Sequence, residues 1–263
     1  MRLPFFICVL LLVLASVAQS QNRGATGAAE SSVIVVQRRV VLTRALKLAR
    51  EFPDRKTAVV RYPSVAGLSN AAVLRKIHNV LAVKNVFGST LQEYQEEAWL
   101  IEFGYKVNYN RNHLLDITFS QSGMGAYPDT QTKHFLINLK NGEVIKATDT
   151  FDSNKLTMLS ALVDERLQSE VRTIVQRFGR DEDLTADEKN SLKDSFAELK
   201  FKVENLDEFS VSNQGITFWY DAGFPHVSEA LQPEGRYFFA YSKLQPYIKQ
   251  QGPLGVFRAG KLK

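Results

Sequence analysis

Four histidines are the side chains with the clearest capacity for acid/base or metal chemistry, and they are scattered along the chain: His78, His113, His134 and His226. None has a second histidine or a carboxylate at the spacing of a metal motif, and no nucleophile elbow or phosphate-binding loop is present. The best acid/base candidate is His226, which shares a short stretch with Asp221 and Glu229. Three residues in one loop are not enough to define a catalytic mechanism. We therefore expect no metal and no cofactor, and we favour a binding protein over an enzyme.

A concentration of aromatic side chains near the carboxyl end suggests binding instead of catalysis. It comprises Trp219, Tyr220, Phe224, Tyr237, Phe238, Phe239, Tyr241 and Tyr247, with His226 among them. Such residues either fill a core or line a groove that stacks on sugars or anchors a protein partner. Alternation along a strand places Tyr237, Phe239 and Tyr241 on one face and Phe238 on the other. Both interpretations stay open.

A second candidate surface is the glycine-rich stretch 123–128, which follows three small polar residues. It is either a backbone that approaches a ligand closely or a flexible connection between strands. The two stretches together supply the binding candidates Gly123, Gly125, Tyr127, Trp219, Tyr220, Phe224 and Tyr237.

The first twenty residues have the composition of a secretory signal peptide. Arg2 precedes a mostly apolar stretch over residues 5–18, and small residues precede position 21. This stretch is shorter than the roughly 20 residues that span a bilayer, so we expect cleavage after Ser20, no stable membrane span, and a periplasmic or extracellular location. Cleavage removes Cys8, the only cysteine, which excludes a disulfide. Residues 21–32, rich in Gly, Ala and Ser, are expected to form a flexible linker.

Charge is distributed unevenly along the rest of the chain. Residues 21–150 carry 17 basic and 11 acidic side chains, a balance of +6, whereas residues 151–263 carry 15 and 17, a balance of −2. Because the net charge is modest, we expect no nucleic-acid partner. A basic segment includes Arg38, Arg39, Arg44, Lys47, Arg50, Arg55 and Lys56. It indicates either an anionic partner, such as a cell-wall polymer or a lipid headgroup, or a solvated helix face.

The hydrophobic periodicity predicts an α+β fold with antiparallel β-meanders, a long amphipathic helix and shorter helices, in one or two lobes. The predicted helices cover residues 40–50, 69–81, 156–178, 185–199 and 242–249. The predicted strands cover residues 56–62, 99–107, 114–119, 134–139, 209–211, 216–220 and 237–241. The chain would then divide into an N-terminal helical segment at 33–54, a domain at 55–250 and a C-terminal tail at 251–263.

Three blocks of sequence, in this order, carry a resemblance to a known family: RYPSVAGLSNAAVLRKIHNVL, NYNRNHLLDITFSQSGMGAYPDTQTKHFLINLKNGEVIKATDTF and FSVSNQGITFWYDAGFPHVSEALQPEGRYFFAYSKLQPYI. Over roughly residues 55–250 the chain resembles an extracytoplasmic family of unknown function, seen in the outer domain of the anti-sigma factor RsiV and the accessory domain of the deacetylase PdaC. The resemblance implies an α+β fold outside the cytoplasmic membrane and, from the family's best-understood member, lysozyme as a protein partner. It supplies no catalytic residues. Relatives commonly have a histidine where this chain has Tyr127.

Our leading hypothesis is a secreted or periplasmic, non-catalytic binding module that recognises a cell-wall component such as peptidoglycan, or a protein such as lysozyme. One alternative is a cell-wall-directed hydrolase that uses His226 and its neighbouring carboxylates. Another is a structural envelope protein that acts through its folded surface. The sequence does not choose an oligomeric state.

Overall fold

The computed structural model describes residues 31–181, 184–224 and 226–258, without the side chains of residues 226, 227 and 230. The fold is α+β, as predicted, with a six-stranded sheet, a three-stranded sheet and one long helix. The predicted signal peptide at 1–20 and all but the last two residues of the predicted linker lie outside the described residues. Within the described ranges, no helix has the length and apolar character needed to cross a membrane.

The six-stranded sheet has the order β1-β2-β3-β4-β5-β6 and is antiparallel except between β2 and β3, whereas the three-stranded sheet is wholly antiparallel. The strands are β1 Ile34–Thr43, β2 Thr57–Ala66, β3 Leu100–Arg111, β4 Leu114–Met124, β5 Pro128–Asn138, β6 Glu143–Val144, β7 Phe209–Val211, β8 Gly215–Trp219 and β9 Arg236–Ala240.

Helices cover one face of the large sheet and support the small one. They are α1 Leu46–Glu51, α2 Ala71–Val80, α3 Val83–Phe87, α4 Leu91–Glu96, α5 Ala147–Thr150, α6 Leu156–Gly179, α7 Ala186–Ala197, α8 Tyr241–Leu244 and α9 Gly255–Arg258. Helix α6 has 24 residues and buries the apolar stripe predicted for it. Helix α7 starts with a capping box, since the side chains of Thr185 and Glu188 each accept the other's backbone N–H.

Two hydrophobic clusters define two lobes. The first lies between the large sheet and helices α2 to α4 and includes Ile77 and Phe119. The second lies around α6 and the small sheet and includes Leu167 and Phe218. Alternation along β4 connects them, because Leu115 belongs to the first cluster and the preceding Leu114 to the second.

The predicted helix over residues 40–50 is wrong in its first part. Strand β1 occupies this region up to Thr43 and pairs with β2 over ten residues, so that only the short α1 is helical. Val40, Val41 and Leu42 are compatible with either period, and the β-branched pair favours a strand once a partner strand is available. The segment 33–54 therefore contains a ten-residue strand followed by a six-residue helix.

Several predicted strands are present but longer than expected. Strand β2 continues through Pro63, which is tolerated because its ladder with β3 is confined to Val59 and Val60. Strand β4 runs to Met124 and β5 starts at Pro128. The glycine-rich stretch is therefore the tight end of a hairpin.

The C-terminal segment predicted as a tail is packed as far as residue 258, where the described residues end. Leu254 and Phe257 are buried. The Phe257 ring stacks on Tyr241 with centroids 4.2 Å apart and meets Tyr109 of β3 at 5.9 Å. This segment therefore packs between β3 of the large sheet and helix α8, which follows the small sheet directly.

Candidate functional site

A cleft of about 1500 Å³ opens between the lobes. Its floor is the polar face of β3, β4 and β5, and its walls come from the β4–β5 hairpin end and from the connection between β8 and β9. Among the binding candidates predicted from sequence, the cleft is lined by Gly125, Tyr127, Trp219, Tyr220 and Phe224. The fold thus brings the glycine-rich stretch and the aromatic stretch to one surface, although they are about 90 residues apart in the sequence.

Hydroxyl side chains form the floor because β4 and β5 pair in register. Facing pairs in an antiparallel ladder project to the same side of the sheet. The register pairs Ser122 with Thr130, Ser120 with Thr132, and Thr118 with His134. Of these residues Thr118, Thr130, Thr132 and His134 line the cleft, whereas Ser120 and Ser122 lie on the same face of the sheet outside it. Within the part of the chain that the structure describes, the hydroxyls of Thr130 and Thr132 have no hydrogen-bond partner. They can therefore donate to and accept from a ligand.

A chain of hydrogen bonds extends from this floor into the contact between the lobes. Asn108 donates from Nδ2 to Asp116 Oδ1 at 2.8 Å and to Thr118 Oγ1 at 2.7 Å, and Thr118 Oγ1 lies 2.9 Å from His134 Nδ1. Asp116 Oδ2 accepts the backbone N–H of Val211, in the second lobe, at 2.5 Å. Asp116 is fully buried, and its two donors explain how a carboxyl group is accommodated there.

Burial shifts the pKa values of both titratable groups in this chain. Desolvation raises the pKa of Asp116 to about 6, against the opposing effect of its bonds from Asn108 and Val211. Desolvation also lowers the pKa of His134 to about 4. The imidazole is therefore neutral at pH 7 and is a weak general base.

Trp219 of the small sheet packs on the large sheet, so its ring does not present an open stacking surface. Its ring stacks on His134 with centroids 4.2 Å apart and planes within 9°. Its Nε1 donates to Ser210 Oγ at 3.1 Å, and the Arg236 guanidinium lies 5.7 Å from the ring centroid. Since the indole ring already has partners, we assign Trp219 a positioning role in the cleft.

The wall at the hairpin end presents Tyr127, whose side chain is 57% exposed. Gly125 beside it also lines the cleft, and its backbone N–H donates to Tyr127 O at 3.0 Å. Gly123 does not line the cleft. A Cβ at this position would overlap the ring of Trp99. Gly123 therefore allows Trp99 to reach the cleft wall.

The opposite wall is the connection between β8 and β9, which is closed at its base by Tyr220 N–H donating to Gly235 O at 2.8 Å. Phe224 lines the cleft while packing on Phe196, with centroids 5.1 Å apart. Tyr237 is not a cleft residue. It is buried, and its hydroxyl donates to Glu170 Oε2 of α6 at 2.8 Å.

The structure gives three of the four histidines structural roles. His78 Nε2 lies 2.7 Å from Val65 O, His113 occupies the β3–β4 turn with φ 60°, and His134 belongs to the floor. His226 starts a 3-10 turn, but its side chain lies outside the described residues, and with it the predicted acid/base group. In the described ranges no three or more His, Asp or Glu side chains form a group able to hold a metal ion.

The charge of the cleft walls is mixed, with carboxylates in excess. The charged lining residues are Lys106, Lys133 and Arg236 against Asp129, Glu208, Asp221, Glu229 and Glu234. The arrangement is suited to a polar ligand that offers hydroxyl and amide groups to the floor and apolar faces to the aromatic wall.

No protein-family model matches the chain, and no curated protein matches it. Among solved structures, it is similar to a DUF3298 family member from Bacteroides fragilis, with a TM-score of 0.54 and 13% sequence identity over 89% of this chain and 100% of that chain. The chain has the fold of a DUF3298 protein. A DUF3298 family protein from Pseudomonas aeruginosa aligns with a TM-score of 0.45 and 11% identity, over 83% of this chain and 94% of that one. At these identities the likeness concerns the fold alone.

Proposed function

We propose that this chain is an exported member of the DUF3298 family, related to the outer domain of RsiV and the accessory domain of PdaC, and that it is a non-catalytic binding module. Its interlobe cleft binds a component of the cell wall. The observation that carries this proposal is the cleft itself, with free hydroxyls on its floor and an exposed tyrosine on its wall. Carbohydrate ligands combine hydroxyl groups with apolar ring faces, and such a surface complements both.

The hydrogen bonding and protonation of the polar groups at the floor favour binding over catalysis. The Thr118 hydroxyl and the His134 ring are bonded to one another, and His134 is a poor base at neutral pH because its pKa is about 4. Asp116 is enclosed between the lobes and is bonded at both oxygens. These groups hold the lobes together, and none of the three presents an activated nucleophile.

The experiment is a co-sedimentation assay of the purified full chain with insoluble peptidoglycan, in parallel with a pull-down on immobilised lysozyme. We expect retention on peptidoglycan and an affinity about tenfold lower for Tyr127→Ala, because an exposed aromatic contact contributes roughly 1.5 kcal/mol. The matched control is Phe238→Ala, since Phe238 is 48% exposed on the other face of β9 and does not line the cleft.

Three outcomes would count against the proposal. Absence of binding to both materials removes both partners. Equal losses in the Tyr127 and Phe238 variants place the ligand elsewhere. Retention on lysozyme alone, weakened by Tyr127→Ala, assigns the cleft to a protein partner instead of the wall polymer.

A further inference from the structure

Beyond the cleft, the same face of the large sheet continues across β3, β2 and β1 and carries positive charge. We call this surface the basic sheet face and define it by Arg39, Arg61, Glu102, Lys106, Ser120 and Thr132. Register places these side chains on one side: Arg39 pairs with Arg61, Lys106 pairs with Thr118, and Ser120 pairs with Thr132. The adjacent Val60, Phe103 and Phe119 point the other way, into the first core cluster.

Two arginines directly opposite each other on neighbouring strands repel, which is a cost unless an anion lies between them. Only Arg61 has a carboxylate partner, the side chain of Glu102. Across the described part of the chain, Arg39 and Lys106 form no ion pair, and both are exposed. The basic sheet face therefore has two more cations than it can neutralise internally.

Next to Arg61 the surface is low at Gly104 of β3, and hydroxyl groups follow on β4 and β5. Gly104, paired with Ser120, has no side chain, and the nearest atom to an added Cβ would be Ser120 Oγ at 3.9 Å. Guanidinium and ammonium groups recognise phosphate oxygens through charge-assisted hydrogen bonds, and neutral hydroxyls recognise the hydroxyls of a polyol or a sugar. Both kinds of group are present on one face.

We propose that the basic sheet face binds a phosphate-bearing polyol or glycan chain, with Arg39 and Arg61 at one phosphate, Lys106 at another, and Ser120 and Thr132 at the hydroxyl groups of the part that continues over β4 and β5. This inference rests on the proposed function in one respect, that the ligand is an envelope polymer. It goes further in that it specifies an anionic ligand, which the cleft alone does not select. Because Lys106 also lines the cleft, the two surfaces adjoin. Ser120 and Thr132 favour such a polymer over an anionic membrane, since hydroxyl groups complement a polyol and do not insert into lipid, and Val41 is the exposed apolar side chain that the β1–β2 register places beside Arg39.

The probe is soluble poly(glycerol phosphate), titrated against the full chain by calorimetry at low and at physiological ionic strength. We expect Arg39→Gln and Lys106→Gln each to weaken binding by about tenfold at low salt, because each removes a charge-assisted contact. Salt should weaken the native chain more than either variant. The matched control is Arg38→Gln. Arg38 is an exposed neighbour with the same charge, but it pairs with Tyr62 and faces the other side of the sheet, so its loss should change affinity by less than about twofold.

Equal losses in the Arg38 and Arg39 variants would overturn the proposal, since they would reduce it to attraction by net charge. So would the absence of binding by the native chain, or tighter binding to phosphatidylglycerol vesicles or to RNA than to the polymer. Failure here is distinguishable from failure of the proposed function. If the cleft binds neutral peptidoglycan while the basic sheet face binds nothing, Tyr127→Ala weakens sedimentation with peptidoglycan while native calorimetry with the phosphate polymer shows no heat.

Discussion

Asp116 and His134 lie on adjacent strands, and burial alters their protonation in opposite senses. The pKa of Asp116 rises to about 6 and that of His134 falls to about 4. Between these values the native chain holds a proton on Asp116 and none on His134, whereas the unfolded chain holds a proton on His134 and none on Asp116. The two states therefore bind the same number of protons at these groups, and their contributions to the pH dependence of stability cancel.

Single substitutions should expose the two contributions separately. In Asp116→Asn, His134 is the one of the two groups that still titrates. Its lowered pKa contributes stability that is fully present above about pH 6.5 and is lost as the pH falls towards 4. The free energy of unfolding of this variant, relative to that of the native chain, should therefore rise by roughly 3 kcal/mol from pH 4 to 6.5. In His134→Gln, Asp116 is the group that still titrates. Its raised pKa contributes stability that is fully present below about pH 4 and is lost as the pH rises to 6. The free energy of unfolding of this variant, relative to that of the native chain, should therefore fall by roughly 3 kcal/mol over this range. Urea unfolding at several pH values measures both. Parallel profiles for the native chain and the two variants would contradict the assignment.

Among the elements, the connection between β8 and β9 depends on two glycines with nearly the same backbone conformation but different surroundings. Gly223 has φ 64° and Gly235 has φ 66°. A Cβ on Gly223 would meet no atom within 4 Å, whereas a Cβ on Gly235 would overlap the carbonyl oxygen of Tyr220. The close approach at Gly235 closes the base of the cleft wall.

We therefore expect Gly235→Ala to destabilise the protein by at least about 3 kcal/mol and Gly223→Ala by only about 1 kcal/mol, since both introduce strain at positive φ but only the first adds an overlap with backbone. Chemical denaturation gives both free energies of unfolding. Hydrogen exchange of the Tyr220 amide should increase only in the Gly235 variant. Similar losses for the two variants would mean that backbone strain alone controls this wall.

The sequence alone predicts elements whose hydrophobic period is long or whose turn residues are distinctive. Helix α6 and the strands β7 and β8 are of this kind, and the sequence predicts all three. Strand β1 was missed because its ten residues are stabilised by pairing with β2, a tertiary contact that no local pattern records. As a result Arg38 and Arg39, interpreted as members of one helix face, lie on opposite sides of a sheet.

The cleft was only partly predictable for a related reason. Aromatic side chains are common in binding surfaces, so the sequence alone is enough to select Tyr127, Tyr220 and Phe224 as candidates. The hydroxyl floor requires the β4–β5 register, and the bond from Val211 to Asp116 spans 95 positions. The signal that was available is the alternation of Thr118, Ser120 and Ser122 with buried residues along one strand.

For the whole molecule, the contact between the lobes is made by small groups of residues from distant parts of the chain. Trp219 on His134 and Val211 on Asp116 join the sheets at the cleft. Away from the cleft, Phe257 is buried between Tyr241 of α8 and Tyr109 of β3. The segment predicted to be a C-terminal tail is thus part of the contact between the lobes.

Phe257→Ala should lower the free energy of unfolding by about 3–5 kcal/mol, the usual cost of a buried phenylalanine, because it leaves a cavity between the sheets. Val256→Ala, one residue earlier and 36% exposed, should cost less than about 1 kcal/mol. Urea unfolding followed by circular dichroism compares them. If both variants were as stable as the native chain, the C-terminal segment would have no part in holding the lobes.

The chain contains two tryptophans, and both Trp99 and Trp219 line the cleft, from opposite lobes. Intrinsic indole emission therefore comes entirely from the proposed binding surface, with no background from the rest of the molecule. A ligand that enters the cleft changes the polarity around one or both indoles, so occupancy can be followed optically in the unlabelled protein. Replacing either tryptophan by phenylalanine leaves a single emitter, which makes it possible to ask which lobe a ligand reaches first.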